Sequence, residues 1–306
     1  MSVRLGVIDD ERVKFEAQLG HVVQDVRLYC TTETPPSGDW SKLPTRAASG
    51  YISHMSFRSA NSWASVAGGS EDARATTIGN YLAGITPAGY ITFHHEPQGE
   101  GTASDFQAAF ARVMGIIKGI APAWKTCNVM TGGTFWFANA GGPDAWWVNG
   151  IDTLGVDAYN RRGTSLPTDI FATPTGTPST FGATDIASTF ITTPISGRPA
   201  PYPYALSKGA TLILPEFGCA CDDPSSNAAG YVAKRANWIQ AVANDIHNLP
   251  FLESVTYYDR DQGDSRVNWA LAGTALPVEP TSLAAFESIS VPTTSTMKVL
   301  TVGDDE

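Results

Sequence analysis

Short runs of apolar and β-branched residues recur along the whole chain, at 4–8, 25–30, 51–57, 89–94, 126–131, 151–159, 210–216 and 254–258. Runs of this length, bounded by polar and glycine- or proline-bearing segments, predict eight strands. Several are apolar almost throughout, as in Ala210-Thr211-Leu212-Ile213-Leu214, the signature of parallel strands covered on both faces. Between the runs lie stretches in which apolar residues return every three or four positions, most clearly from Ala103 to Ile120 and from Ala228 to His247, and these predict helices. Thr102 or Ser104 can cap the first of them, Gly119 interrupts near its end, and Pro122 blocks its continuation.

Eight strands alternating with helices select an α/β fold in which the sheet closes on itself, a single (β/α)8 TIM barrel. The barrel is expected over 1–290, with 291–306 as a tail that ends in Gly303-Asp304-Asp305-Glu306. No Gly-x-Gly-x-x-Gly follows the first strand, so nothing in the pattern suggests a dinucleotide. The stretch Arg161 to Tyr204, rich in Thr, Pro, Gly and Ser, is expected as an extended loop after the sixth strand, either a surface insertion or a wall of the substrate cleft.

Composition narrows the function. The 306 residues are 42% hydrophobic and 16% charged, enough to fill a large core. Twenty basic residues against thirty acidic ones give a net charge of -10, which repels phosphate backbones and anionic lipid. Neither nucleic acid nor membrane is expected as a partner. No signal peptide is visible, and no apolar run is long enough to span a bilayer. A soluble protein is expected, with secreted, virion-associated and cytoplasmic action all open. Cys30, Cys127, Cys219 and Cys221 lack the spacing of a zinc site and read as buried thiols.

Barrel enzymes carry their reacting groups at the carboxyl ends of the strands. Here those ends supply Asp9 and Asp10, Arg58, the run His94-His95-Glu96, Asp157 with Tyr159 and Asn160, Glu216, and Asp259 with Arg260. Glycoside cleavage needs one carboxylic acid to protonate the departing oxygen and one carboxylate at the anomeric carbon. Glu96 and Glu216, on the fourth and seventh strands, stand three strand steps apart and can converge over the barrel mouth. Sugar rings stack on aromatic faces, so Trp136 and Trp269 are candidate subsite walls, and Arg58, Asp9 and Asp259 can bond hydroxyls. His94 and His95 invite a metal reading, but neighbouring strand residues point to opposite faces, so neither a metal nor any other cofactor is expected.

Phe93-His94-His95-Glu96-Pro97 and Leu214-Pro215-Glu216-Phe217-Gly218 resemble the fourth- and seventh-strand motifs of the retaining barrel glycosidases. The His before Glu96, together with Gly155-Val156-Asp157-Ala158-Tyr159-Asn160, is most similar to glycoside hydrolase family 26. The resemblance implies Glu96 as acid/base and Glu216 as nucleophile, with His95 bonding near the reacting centre and Tyr159 orienting the nucleophile. Pro97-Gln98-Gly99-Glu100 departs from the Met-Asn-Gly that commonly follows in that family, which leaves the polysaccharide unnamed. The expected activity is endo-acting hydrolysis of a polysaccharide with retention. The alternatives are a non-catalytic carbohydrate-binding or virion-type attachment protein on the same barrel, and a metal-dependent sugar isomerase.

Overall fold

The structure is a computed structural model, and it describes residues 3–136, 141–160, 197–219, 249–258 and 280–289, together with 191, 192, 194, 236, 239, 240, 242, 243 and 246. Eight parallel strands close in sequence order: β1 (Arg4–Ile8), β2 (Asp25–Tyr29), β3 (Ile52–Phe57), β4 (Tyr90–Phe93), β5 (Lys125–Thr131), β6 (Thr153–Asn160), β7 (Thr211–Cys219) and β8 (Leu252–Tyr257). The (β/α)8 barrel expected from the hydrophobic pattern is the observed fold.

Strand alternation sorts the side chains into two shells. Leu5 and Val7 of β1, and Val26 and Leu28 of β2, pack outward into the main apolar core. The alternate positions face the barrel axis, where Gly6, Asp25 and Arg27 stand and Tyr90, Cys127, Val129 and Ile213 form a second, smaller apolar cluster. A Cβ on Gly6 would stand 2.8 Å from Thr256 Oγ1, and one on Gly155 2.6 Å from Val129 Cγ2, so these glycines make room for their neighbours inside the barrel. Gly89, just before β4, passes so close to β3 that a Cβ there would lie 2.0 Å from the Ser53 carbonyl oxygen.

The helix Ala103–Ile120 has the predicted bounds. Thr102 caps it by accepting from the Asp105 N–H at 3.2 Å. Phe106, Ala109, Phe110, Val113, Met114 and Ile117 form its buried stripe, each large side chain stabilising the fold by about 1.5–3 kcal/mol on burial. In the second predicted helix, the described positions 236, 239, 240, 242, 243 and 246 are helical. Ala236, Ile239, Val242, Ala243 and Ile246 among them are buried. No helix among the described residues is long and apolar enough to cross a membrane.

Charged residues close the amino-terminal end of the barrel. Asp25 accepts from Arg4 Nε at 2.9 Å and faces His54 Nε2 at 3.0 Å. Arg4 also donates to the Tyr90 hydroxyl, which donates in turn to Glu253, and Lys125 pairs with the same Glu253.

Two details depart from expectation, a helix within the expected loop and the length of β7. Residues 161–190 lie outside the described residues, and the end of the expected loop is a helix, Pro201–Ser207, with proline at its first position, where the missing N–H costs nothing. The tail 291–306 also lies outside them. Finally, β7 runs beyond Glu216 to Cys219, so this residue sits within a strand and not at its tip.

Candidate active site

Both candidate carboxylates sit where a strand takes in one residue more than its neighbour. In β4 the pairs Tyr90↔Lys125 and Ile91↔Thr126 would carry His95 to a place opposite Met130. Instead the Glu96 N–H reaches the Val129 carbonyl at 3.0 Å, the bond a residue opposite Met130 makes, so one extra residue is taken up on the way. The strand itself ends at Phe93, and the turn is made by two non-glycine residues in the left-handed region, His94 (φ 57) and Glu96 (φ 52). Such conformations cost energy and concentrate where a side chain must be aimed.

On the other side, Gly155↔Ile213 becomes Ala158↔Phe217 along β6 and β7. Leu214↔Val255 likewise becomes Phe217↔Tyr257 along β7 and β8. The extra residue falls at Pro215-Glu216. Proline has no N–H for the ladder and is tolerated within a sheet at such a bulge, which re-aims the side chain that follows.

Glu216 is buried, and each of its oxygens has a phenol donor. Tyr29, at the end of β2, donates to Oε1 at 2.8 Å, and Tyr159, on β6, donates to Oε2. Burial and then the nearby Glu216 charge push both phenols well above the ordinary tyrosine value, so they remain protonated donors. Arg27, two residues before Tyr29 on the same face of β2, lies fully buried with Nη2 4.0 Å from Glu216 Oε1. Its guanidinium stands 4.7 Å from the centre of the Tyr29 ring. Burial opposes the Arg27 charge, but Tyr29, Glu216 and Asp157 outweigh it.

Asp157 completes this cluster from β6. It is buried, and burial first, then the charges of Glu216 and Glu96, push its carboxyl well above the usual carboxylate range. The charges of both glutamates therefore reach one buried group, which ties Glu96 and Glu216 to the same end of the barrel.

The two histidines before Glu96 diverge, although not by strand alternation, since β4 stops short of them. His94 packs edge-on against Trp63 with ring centres 5.0 Å apart and turns Nε2 toward Glu100 at 3.5 Å. His95 stands against Tyr29, ring centres 5.6 Å apart. Burial, followed by the Arg58 charge, lowers His94 to about 4. Burial, followed by Arg27, Arg58 and His94, lowers His95 to about 2. His95 is thus a neutral imidazole next to the Glu216 cluster.

These values carry a prediction about stability. His54, at the barrel floor, is also held below the ordinary histidine value, by burial against the opposing pull of Asp25. The unfolded chain takes up protons near pH 6.5 that these three native side chains refuse. Their contribution is complete above that pH and is lost as pH falls from about 6.5 toward 4. Asp157, raised in the fold, has the opposite sign and offsets the equivalent of one proton. The net change is a loss, so the urea midpoint is expected to drop between pH 7 and pH 5. An unchanged midpoint over that interval contradicts the assignment of all three histidines as neutral.

The other residues named from the sequence are distributed as follows. Arg58 donates to Glu100 at 2.8 Å on the rim above β3 and faces the histidine pair. Asp9 is bonded by Arg46 and approached by Lys42 at 3.4 Å, so its carboxylate is engaged by the chain itself. Asp259, Trp269 and the Trp136 side chain lie outside the described residues. So do the Cys219 side chain and Cys221, while Cys30 and Cys127 are buried free thiols. Of the aromatics after β5, Phe135, Trp146 and Trp147 belong to the core. Tyr258, following β8, packs edge-on to Tyr159 with ring centres 5.6 Å apart.

The site also includes two residues of β2 that the sequence did not mark out, Arg27 and Tyr29. The signal was present in Asp25-Val26-Arg27-Leu28-Tyr29, where polar residues alternate with apolar ones and so share the face opposite the core.

By sequence the chain matches no protein-family model and no curated protein. Its fold matches solved structures along nearly its full length. Cel5A of Thermotoga maritima, in complex with mannotriose, superposes with a TM-score of 0.56 at 10% identity, over 93% of this chain and 97% of that one. The catalytic domain of the GH26 endo-β-1,4-mannanase of Bacillus sp. JAMB-750 gives 0.57 at 12% identity, over 94% and 85%. The GH10 xylanase of Thermobacillus composti gives 0.52 at 14% identity, over 94% and 96%. The GH26 enzyme is one neighbour among several families, and at these identities the likeness is one of fold: the chain shares the (β/α)8 barrel of the TIM-barrel glycoside hydrolases.

Proposed function

We propose that the protein is a retaining glycoside hydrolase that cleaves a polysaccharide internally, with Glu96 as acid/base and Glu216 as nucleophile. The observation that carries this reading is the setting of Glu216: a buried carboxylate at the mouth of the barrel, each oxygen bonded by a phenol, beside a buried guanidinium. Two donors aimed at one carboxylate suit a group that attacks an anomeric carbon. Glu96, partly buried on the bend after β4, acts on the same Asp157 as Glu216 does from β7. It can protonate the departing oxygen and then take a proton from water. His95, Arg58 and Tyr159 are the substrate-side residues of this scheme.

Incubation with a panel of polysaccharides, with the first-formed products followed by proton NMR, tests the proposal. Shortened chains whose new reducing ends keep the anomeric configuration of the bond cleaved are expected. Inverted product overturns the double displacement. Glycan binding without cleavage across the panel instead supports the non-catalytic attachment reading.

A further inference from the structure

We propose that Tyr29 is a second positioning residue for Glu216, fixing the plane of its carboxylate from the side opposite Tyr159. The inference rests on the reading of Glu216 as nucleophile. A carboxylate held at one oxygen can still turn about its terminal bond, since that torsion is broad. Held at both oxygens, by Tyr29 at Oε1 and Tyr159 at Oε2, it presents its lone pairs in one fixed plane. Tyr29 is itself held on two sides: Arg27 covers its ring at 4.7 Å, and His95 lies against it at 5.6 Å. Arg27 thus neutralises charge near Oε1 and braces the phenol that bonds the same atom. The two phenols come from strands on different walls, β2 and β6, so neither can replace the other.

Among the described residues, Arg27 and Tyr29 from β2 and Asp157 and Tyr159 from β6 act on Glu216, and His95, from the bend after β4, lies against Tyr29. Glu96 reaches the cluster through Asp157, and Tyr258 packs behind Tyr159. Among these, only the two tyrosines donate to the carboxylate in the structure, so loss of either leaves one carboxylate oxygen without its phenol.

The test uses Tyr29→Phe in the full chain, assayed on an aryl glycoside whose leaving group needs no protonation. Turnover is expected to fall about 10- to 100-fold with KM little changed, the scale of one hydrogen bond to a charged group. The acid limb of kcat/KM is expected to move to higher pH, and Tyr159→Phe to move it in the same direction. Should Tyr29→Phe not fold, 3,5-difluorotyrosine at position 29 keeps the ring and is a stronger donor, so the limb moves to lower pH instead. A rise in KM with kcat unchanged makes Tyr29 a substrate ligand and overturns the proposal. So does a lowered melting temperature with an unmoved limb. Normal turnover in Glu216→Gln is a different failure: it removes the nucleophile assignment itself, whatever Tyr29 does.

Discussion

Glu216→Gln is expected to lower turnover by about 10⁴-fold on natural and activated substrates alike, because the glycosyl-enzyme bond cannot form without a carboxylate. The amide is nearly isosteric, but it brings an NH₂ where a phenol already donates. One of the bonds from Tyr29 and Tyr159 must therefore turn round, with the amide donating to the phenol oxygen. The substitution also leaves Arg27 with one carboxylate fewer beside it, and an uncompensated buried cation is costly. A drop in melting temperature should accompany the loss of rate. Initial rates and thermal melts on purified variant and parent measure both. Turnover near that of the parent sinks the assignment.

Glu96→Gln should behave differently, and the contrast separates the two roles. On the polysaccharide, departure of a sugar oxygen needs a proton, and the loss is expected at roughly 10²- to 10⁴-fold. On an aryl glycoside with a good leaving group, no proton is needed for the first step. That step should stay fast, while water loses the base that activates it in the second. The covalent intermediate then accumulates, and the intact protein gains the mass of the bound glycosyl unit. Equal losses on both substrates, with no added mass, contradict the acid/base role of Glu96.

The fold was largely legible in the sequence because a barrel strand buried on both sides needs little but its own apolar run to declare itself. The helix Ala103–Ile120 was legible to the residue, since Thr102 before it and Pro122 after it act through local chemistry. Legibility fails where neighbouring strands decide the outcome. Glu216 reads as the end of a strand, yet β7 continues past it to Cys219, and the ladders to β6 and β8 each take in an extra residue there. Glu96 reads as a strand tip, whereas its placement depends on left-handed backbone at His94 and at Glu96 itself. Arg27 and Tyr29 belong to the site through contacts with residues more than a hundred positions away, and one strand read by itself carries no hint of them beyond its alternation.

The two strand irregularities also bear on how such a site can be gained or lost. The face on which a strand residue emerges is a matter of parity, odd or even along the chain. From Gly155 to Ala158 there are three steps on β6, and from their partners Ile213 to Phe217 there are four on β7. Losing one residue there would throw one half of the strand out of register with its neighbours. The spacing between the paired positions thus carries information about this carboxylate that the presence of a glutamate does not.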